Sequence, residues 1–224
     1  MKNKVEITTT NYKRLRDAYL ILALQLIITI FVVKIIRDNP KLYFKIQNFI
    51  WLPIILSFVL LFIISISNFS TLVKLGFFTL FSVCLGMISI AASKYLSDEL
   101  IMSALKSTLV MFITFSVIGW ICYKLNINLS KLQYIMLFGL VGLIIGLLFS
   151  SFLTKNNNSS NNLEKRRKYF RTLFIFGFIL FSILIAMDTF IILKSKYKDP
   201  VNDALSLYLS FINLFNQIVG IRST

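Results

Sequence analysis

A chain of 224 residues with 57% hydrophobic side chains, 22 Phe and a mean hydropathy of +0.80 carries more apolar surface than a soluble domain can hide. Its formal charge of +15 would suggest nucleic acid in a soluble protein, but the 24 Lys and Arg sit mostly between apolar runs, where lipid headgroups meet them. The lipid bilayer is therefore the expected partner and nucleic acid is excluded, while the absence of His removes imidazole acid–base chemistry and the commonest metal ligand.

At about 20 residues per crossing, the chain has room for seven spans and no separate soluble domain. A basic N-terminal head, residues 1–17, carries Lys2, Lys4, Lys13, Arg14 and Arg16. The first apolar run, Ala18 to Ile36, is too long for a cleavable signal and has no small-residue cleavage site. The second runs from Phe49 to Ser67, with Pro53 in its first turn, where a missing amide costs little. The third covers Leu75 to Ala92, and the fourth, Leu100 to Tyr123, holds Lys106 near its start.

The fifth run, Leu132 to Leu153, carries Gly139, Gly142 and Gly146 on one face, a spacing that lets another helix approach closely. A low-complexity loop, KNNNSSNNLEKRRK at 155–168, follows and is too polar to pack; Asn157 and Asn158 are glycosylation sequons if it is lumenal. The sixth run is Leu173 to Leu193. The seventh starts at Asp199 and Pro200, an N-cap followed by a proline suited to the first helical position. Basic residues fall almost equally on the two sides of such a topology, so they do not orient it. Cys84 and Cys122 lie inside apolar runs and read as small packing residues. The expected fold is an all-α integral membrane protein, one seven-transmembrane-helix bundle over 18–222.

Two features stand out as chemistry. Asp188 is a carboxylate within the sixth apolar run, where an unpaired charge costs about 3 kcal/mol on insertion scales. On the last helix, Asp203, Ser206, Ser210, Asn213 and Gln217 recur at intervals of three and four and so share one face. Polar groups in a membrane line a protein interior or a wet cavity, which makes this last helix the expected polar-striped centre of the bundle. Lys106 is either a buried counter-charge to Asp188 or a side chain snorkelling to the interface.

The string DALSLYLSFINLF, Asp203 to Phe215, resembles the C-terminal signature of the transmembrane Bax inhibitor motif family, whose usual form is close to ALSLYLDFINLF. AMDTF, Ala186 to Phe190, resembles the YDT motif of the same family, with Asp188 as its aspartate. The resemblance implies six helices around a central last helix, passive calcium leak across a membrane, and suppression of cell death. It also implies a pH-responsive pair of carboxylates that share a proton, formed by the aspartates of the two motifs. This chain has Ser210 at the second position, and a hydroxyl donates a hydrogen bond but shares no ionising proton. Nor does the second span hold the arginine that some members aim at the pair. Asp203 lies one heptad before Ser210, about 10 Å along the helix, and offers a carboxylate nearer the mouth.

The leading expectation is a slow cation leak channel, with calcium as the transported ion rather than a resident metal, weakly gated by pH. Asp188, Ser210 and Asp203 would form the ion pathway, lined further by Ser206, Asn213 and Gln217, neutral oxygens suited to a hard ion. The alternative is a non-conducting interaction protein that inhibits apoptosis by contacting membrane proteins of cell-death pathways. An enzyme is not expected, since no His, metal-ligand cluster, cofactor motif or phosphate loop is present. The expected location is the endoplasmic reticulum or Golgi membrane for a eukaryotic or viral chain, and the plasma membrane for a bacterial one.

Overall fold

The computed structural model describes residues 2–93, 96–127, 129–153, 160–195 and 199–223. These form eight α-helices and no strand: α1 (Lys2–Asp38), α2 (Pro40–Asn48), α3 (Trp51–Ile66), α4 (Thr71–Ser93), α5 (Asp98–Lys124), α6 (Ser130–Leu153), α7 (Ser160–Lys194) and α8 (Pro200–Ser223). Two compact units result. The first is Met1–Leu96 with Ser195–Tyr208, the second Ser97–Lys194 with Leu209–Thr224, so α8 contributes residues to each.

Among the described residues, five helical stretches are long and apolar enough to cross a bilayer: Thr10–Asp38, Thr71–Ile90, Asp98–Lys124, Glu164–Lys194 and Pro200–Ser223. The other two expected spans take different forms. α2 and α3 meet at a 71° bend, and the apolar stretch Leu132–Leu148 of α6 is shorter. α2 is amphipathic, capped by Asn39 with Pro40 at its start, and it buries Tyr43 while Lys41 and Lys45 stay exposed.

Two segment boundaries move from their expected places. The basic head is the start of α1 rather than a separate segment, since nothing before Pro40 breaks the helix. Of the polar loop expected at 155–168, residues 155–159, with both sequons, lie outside the described residues. Residues 160–168 are the opening turns of α7, supported by a Glu164–Lys168 pair at 3.0 Å and by Arg166 stacked 5.6 Å from the Phe170 ring.

Lipid tails are as apolar as leucine, so close packing and polar contacts, more than hydrophobic burial, hold such helices together. In the first unit α4 packs on α1 and α3, and α2 folds back on α1. Ile36, Tyr43 and Ile90 form one core cluster with Val32, Val33, Leu42, Ile46 and Met87. A second centres on Tyr208, whose ring meets Phe78 edge-on at 5.4 Å and Phe81 at 6.1 Å.

In the second unit α7 packs on α5 and α6. α5 is closed at both ends by its own sequence. The Ser97 hydroxyl accepts from the Leu100 amide at 3.3 Å, Asp98 and Glu99 complement the helix dipole, and Asn126 takes the left-handed conformation (φ 55°) beyond the last turn. Gly119 lets α5 touch α7, because a side chain there would meet the Ala186 carbonyl and the Thr189 Cβ, the latter at 3.0 Å. Of the three α6 glycines, Gly139 and Gly146 abut Leu180 and Leu173 of α7, whereas Gly142 faces open space.

Candidate functional site

In the second unit, the structure brings Asp188 of α7 to Ser210 of α8. The Ser210 hydroxyl donates to Asp188 Oδ2 at 2.8 Å; Ser210 is buried and Asp188 half-buried. The neighbourhood is tight. Phe211 meets Phe112 of α5 edge-on at 5.5 Å, and Thr189 and Ser182 are buried on α7. A carboxylate can accept such a bond without a second acid beside it.

The rest of the expected stripe does not act as one lining. Asn213 turns its amide back to the Leu209 carbonyl of its own helix at 2.8 Å, and Ser206 is exposed. Gln217 is buried against Gly177 of α7, where a Cβ would come within 2.6 Å of the Gln217 amide. Lys106 is not the counter-charge to Asp188. It is exposed among Asp98, Glu99, Ser103 and Ser107. Thirteen residues, about 20 Å of helix, separate it from Gly119, the position on α5 level with Ala186 and Thr189.

Asp203 belongs to the first unit, and its partner is Arg14. The guanidinium grips the carboxylate with both arms, Nε to Oδ2 and Nη2 to Oδ1 at 2.7 Å, and Nη1 donates to the Ser195 carbonyl at 3.2 Å. A second pair lies one turn earlier on α8. Lys74 Nζ reaches Asp199 Oδ2 at 2.5 Å, while Asp199 Oδ1 caps the amides of Val201 (3.0 Å) and Asn202 (3.3 Å). The side chains of Arg14 and Lys74 are only 6% and 3% exposed, so these are buried ion pairs, one forked and one joined to a helix cap.

Deeper in the same unit, the Thr29 hydroxyl lies 2.9 Å from the Gln25 carbonyl, to which it can donate, and 2.6 Å from the Tyr208 hydroxyl, a contact in which either oxygen can be the donor. Ser82 donates to the Gln25 side-chain oxygen at 2.9 Å. Sequence reasoning passed over these groups, although a signal existed: Gln25 and Thr29 stand four apart in an otherwise apolar run, as Asp199 and Asp203 do at the start of α8. Lys74 lies inside α4, where its charge is met by Asp199.

A sequence model of the family described as "Inhibitor of apoptosis-promoting Bax1" matches residues 12–223, nearly the whole chain. The chain belongs to the Bax inhibitor family. Two uncharacterized proteins of Helicobacter pylori, from strains 26695 and J99, are each 52% identical to this Bax inhibitor family chain over 48 residues. That match covers 20% of this chain and 21% of the length of those relatives. Asp188 and Ser210, the two residues that the motif resemblance singles out, are joined in the structure by a hydrogen bond.

Proposed function

We propose that this Bax inhibitor family protein is a slow cation leak, passing calcium past Asp188, with a pH response weakened by Ser210. The observation that carries the reading is the 2.8 Å bond from Ser210 to Asp188, which keeps a carboxylate in a membrane-spanning helix with a neutral partner. A carboxylate facing a hydroxyl attracts a hard cation through oxygen, as calcium ligation requires, and lacks the second acid that a shared-proton latch needs. The reading includes seven crossings, counting the bent α2–α3 pair and α6, around a central α8, and it assigns no catalytic role. The bacterial source of the relatives favours a plasma-membrane location.

The second reading is a non-conducting interaction protein that restrains cell death through partner membrane proteins. The same bond favours it, since a hydroxyl that satisfies the carboxylate is also a structural closure. Calcium flux into liposomes containing the purified protein, at acidic and neutral pH, decides between them. Loss of flux in Asp188→Ala, with a steeper pH response in Ser210→Asp, supports the leak. A folded wild type that passes no calcium, even as Ser210→Asp, overturns it in favour of the interaction protein.

A further inference from the structure

Away from Asp188, the second unit holds a pocket of about 570 Å³ at the start of α5, lined by Asp98, Glu99, Met102, Ser103, Lys106 and Ser107. Arg222, near the end of α8, borders it: Nη1 donates to the Ser103 hydroxyl and Nη2 to the Ser107 hydroxyl at 2.7 Å. Both helices are candidate spans, and the pocket lies at the start of one and near the end of the other. The hydrogen bonding is incomplete in a specific sense. Each serine oxygen accepts from Arg222, and neither serine donates to its own helix as Thr108 and Thr114 do, so each hydroxyl still has a proton to donate. Two hydroxyl donors beside a guanidinium make a cradle for a tetrahedral anion.

The pocket is not uniformly anionophilic. Glu99 lies four residues, about 6 Å of helix, before Ser103, and Lys106 stands on the other flank. Neither Glu99 nor Lys106 has an ion-pair or hydrogen-bond partner among the described residues. A ligand that fills the site therefore carries a phosphate for Arg222, Ser103, Ser107 and Lys106, and a hydrogen-bonding cation one helical turn away for Glu99. We propose that this pocket binds a phosphoethanolamine group, either as a phospholipid headgroup or as the free zwitterion. The chemistry selects against relatives of that group. A phosphoglycerol headgroup brings no cation to the carboxylates, and a phosphocholine headgroup brings one without N–H donors.

The test uses the intact protein in detergent with short-chain phosphatidylethanolamine, phosphatidylglycerol and phosphatidylcholine, read by native mass spectrometry. Phosphatidylethanolamine is expected to bind about tenfold tighter than the other two, the size of one charge-assisted hydrogen bond. Arg222→Gln is expected to weaken it by a similar factor. Glu99→Gln should erase the preference over phosphatidylglycerol while leaving phosphatidylglycerol binding intact, a split that a merely structural role would not produce. Displacement by free O-phosphoethanolamine supports the soluble source, and retention of the lipid against it supports the headgroup. The proposal is overturned if both variants bind phosphatidylethanolamine like wild type, or if phosphatidylglycerol is preferred. These side chains lie at the surface, so unchanged helical circular dichroism is the control for folding.

Discussion

In the first unit α8 begins among full charges, Asp199 and Asp203 answered by Lys74 and Arg14; in the second, the aspartate beside α8 is answered by a serine hydroxyl. The difference is one of replaceability. A buried ion pair loses far more when one partner is removed than the intact pair contributes, because the survivor stays charged and dry. Such pairs fix a helix in place. A hydroxyl–carboxylate bond is weaker, and its loss strands no second ion. α8 is thus anchored by ion pairs at its start and by a hydrogen bond further along.

The strongest way to break this contrast is Arg14→Ala, which strands Asp203 and is expected to cost about 3–5 kcal/mol of stability in detergent unfolding. The double change Arg14→Met with Asp203→Leu should recover most of it; a double variant as unstable as the single would sink the ion-pair account. Asp199→Asn sharpens the point, because the amide oxygen still caps Val201 and Asn202 while the charge for Lys74 is gone. The cap alone is worth about 1 kcal/mol, so a loss well above that isolates the ion pair. In the second unit, Ser210→Ala is expected to cost about 1.5–3 kcal/mol, the range for a bond to a charged acceptor. A loss equal to that of Arg14→Ala would erase the distinction drawn between the units.

Smaller effects follow from packing. Gly119→Ala drives a methyl into the Ala186 carbonyl and should cost about 1–3 kcal/mol by forcing α5 off α7. Tyr208→Phe removes one hydroxyl contact while Thr29 can still bond to Gln25, and about 0.5–1.5 kcal/mol is expected. A neutral Gly119→Ala would show that the two helices give way at that crossing.

What was legible in the sequence divides along the same line. Helix positions and the Asp199–Pro200 start of α8 follow from local rules: hydropathy runs and capping chemistry. The Asp188–Ser210 pairing came through the two motifs, and the structure bears out their proximity. The Arg14–Asp203 pair was not legible, because 189 residues separate the partners and nothing local marks which of five basic residues in the first turns of α1 is buried. Helical spacing also overstated the stripe. It puts Ser206 and Asn213 on the face of Ser210, but spacing does not say how wide the buried sector is, and one of them is exposed while the other satisfies its own helix.

The bend between α2 and α3 has a consequence for the surrounding lipid. With α2 turned aside by 71°, α3 is left with 16 residues, about 24 Å of helix against a hydrocarbon layer of about 30 Å. A crossing made by α3 alone is short, and lipid beside it must thin at a cost of fractions of a kcal/mol per Å. Trp51 at one end and Phe69 beyond the other, both more than half exposed, mark where that thinned layer would be pinned. The protein should therefore partition toward thin-bilayer lipid in mixed-chain vesicles, and indifference to chain length would show that α3 does not face lipid as a lone crossing.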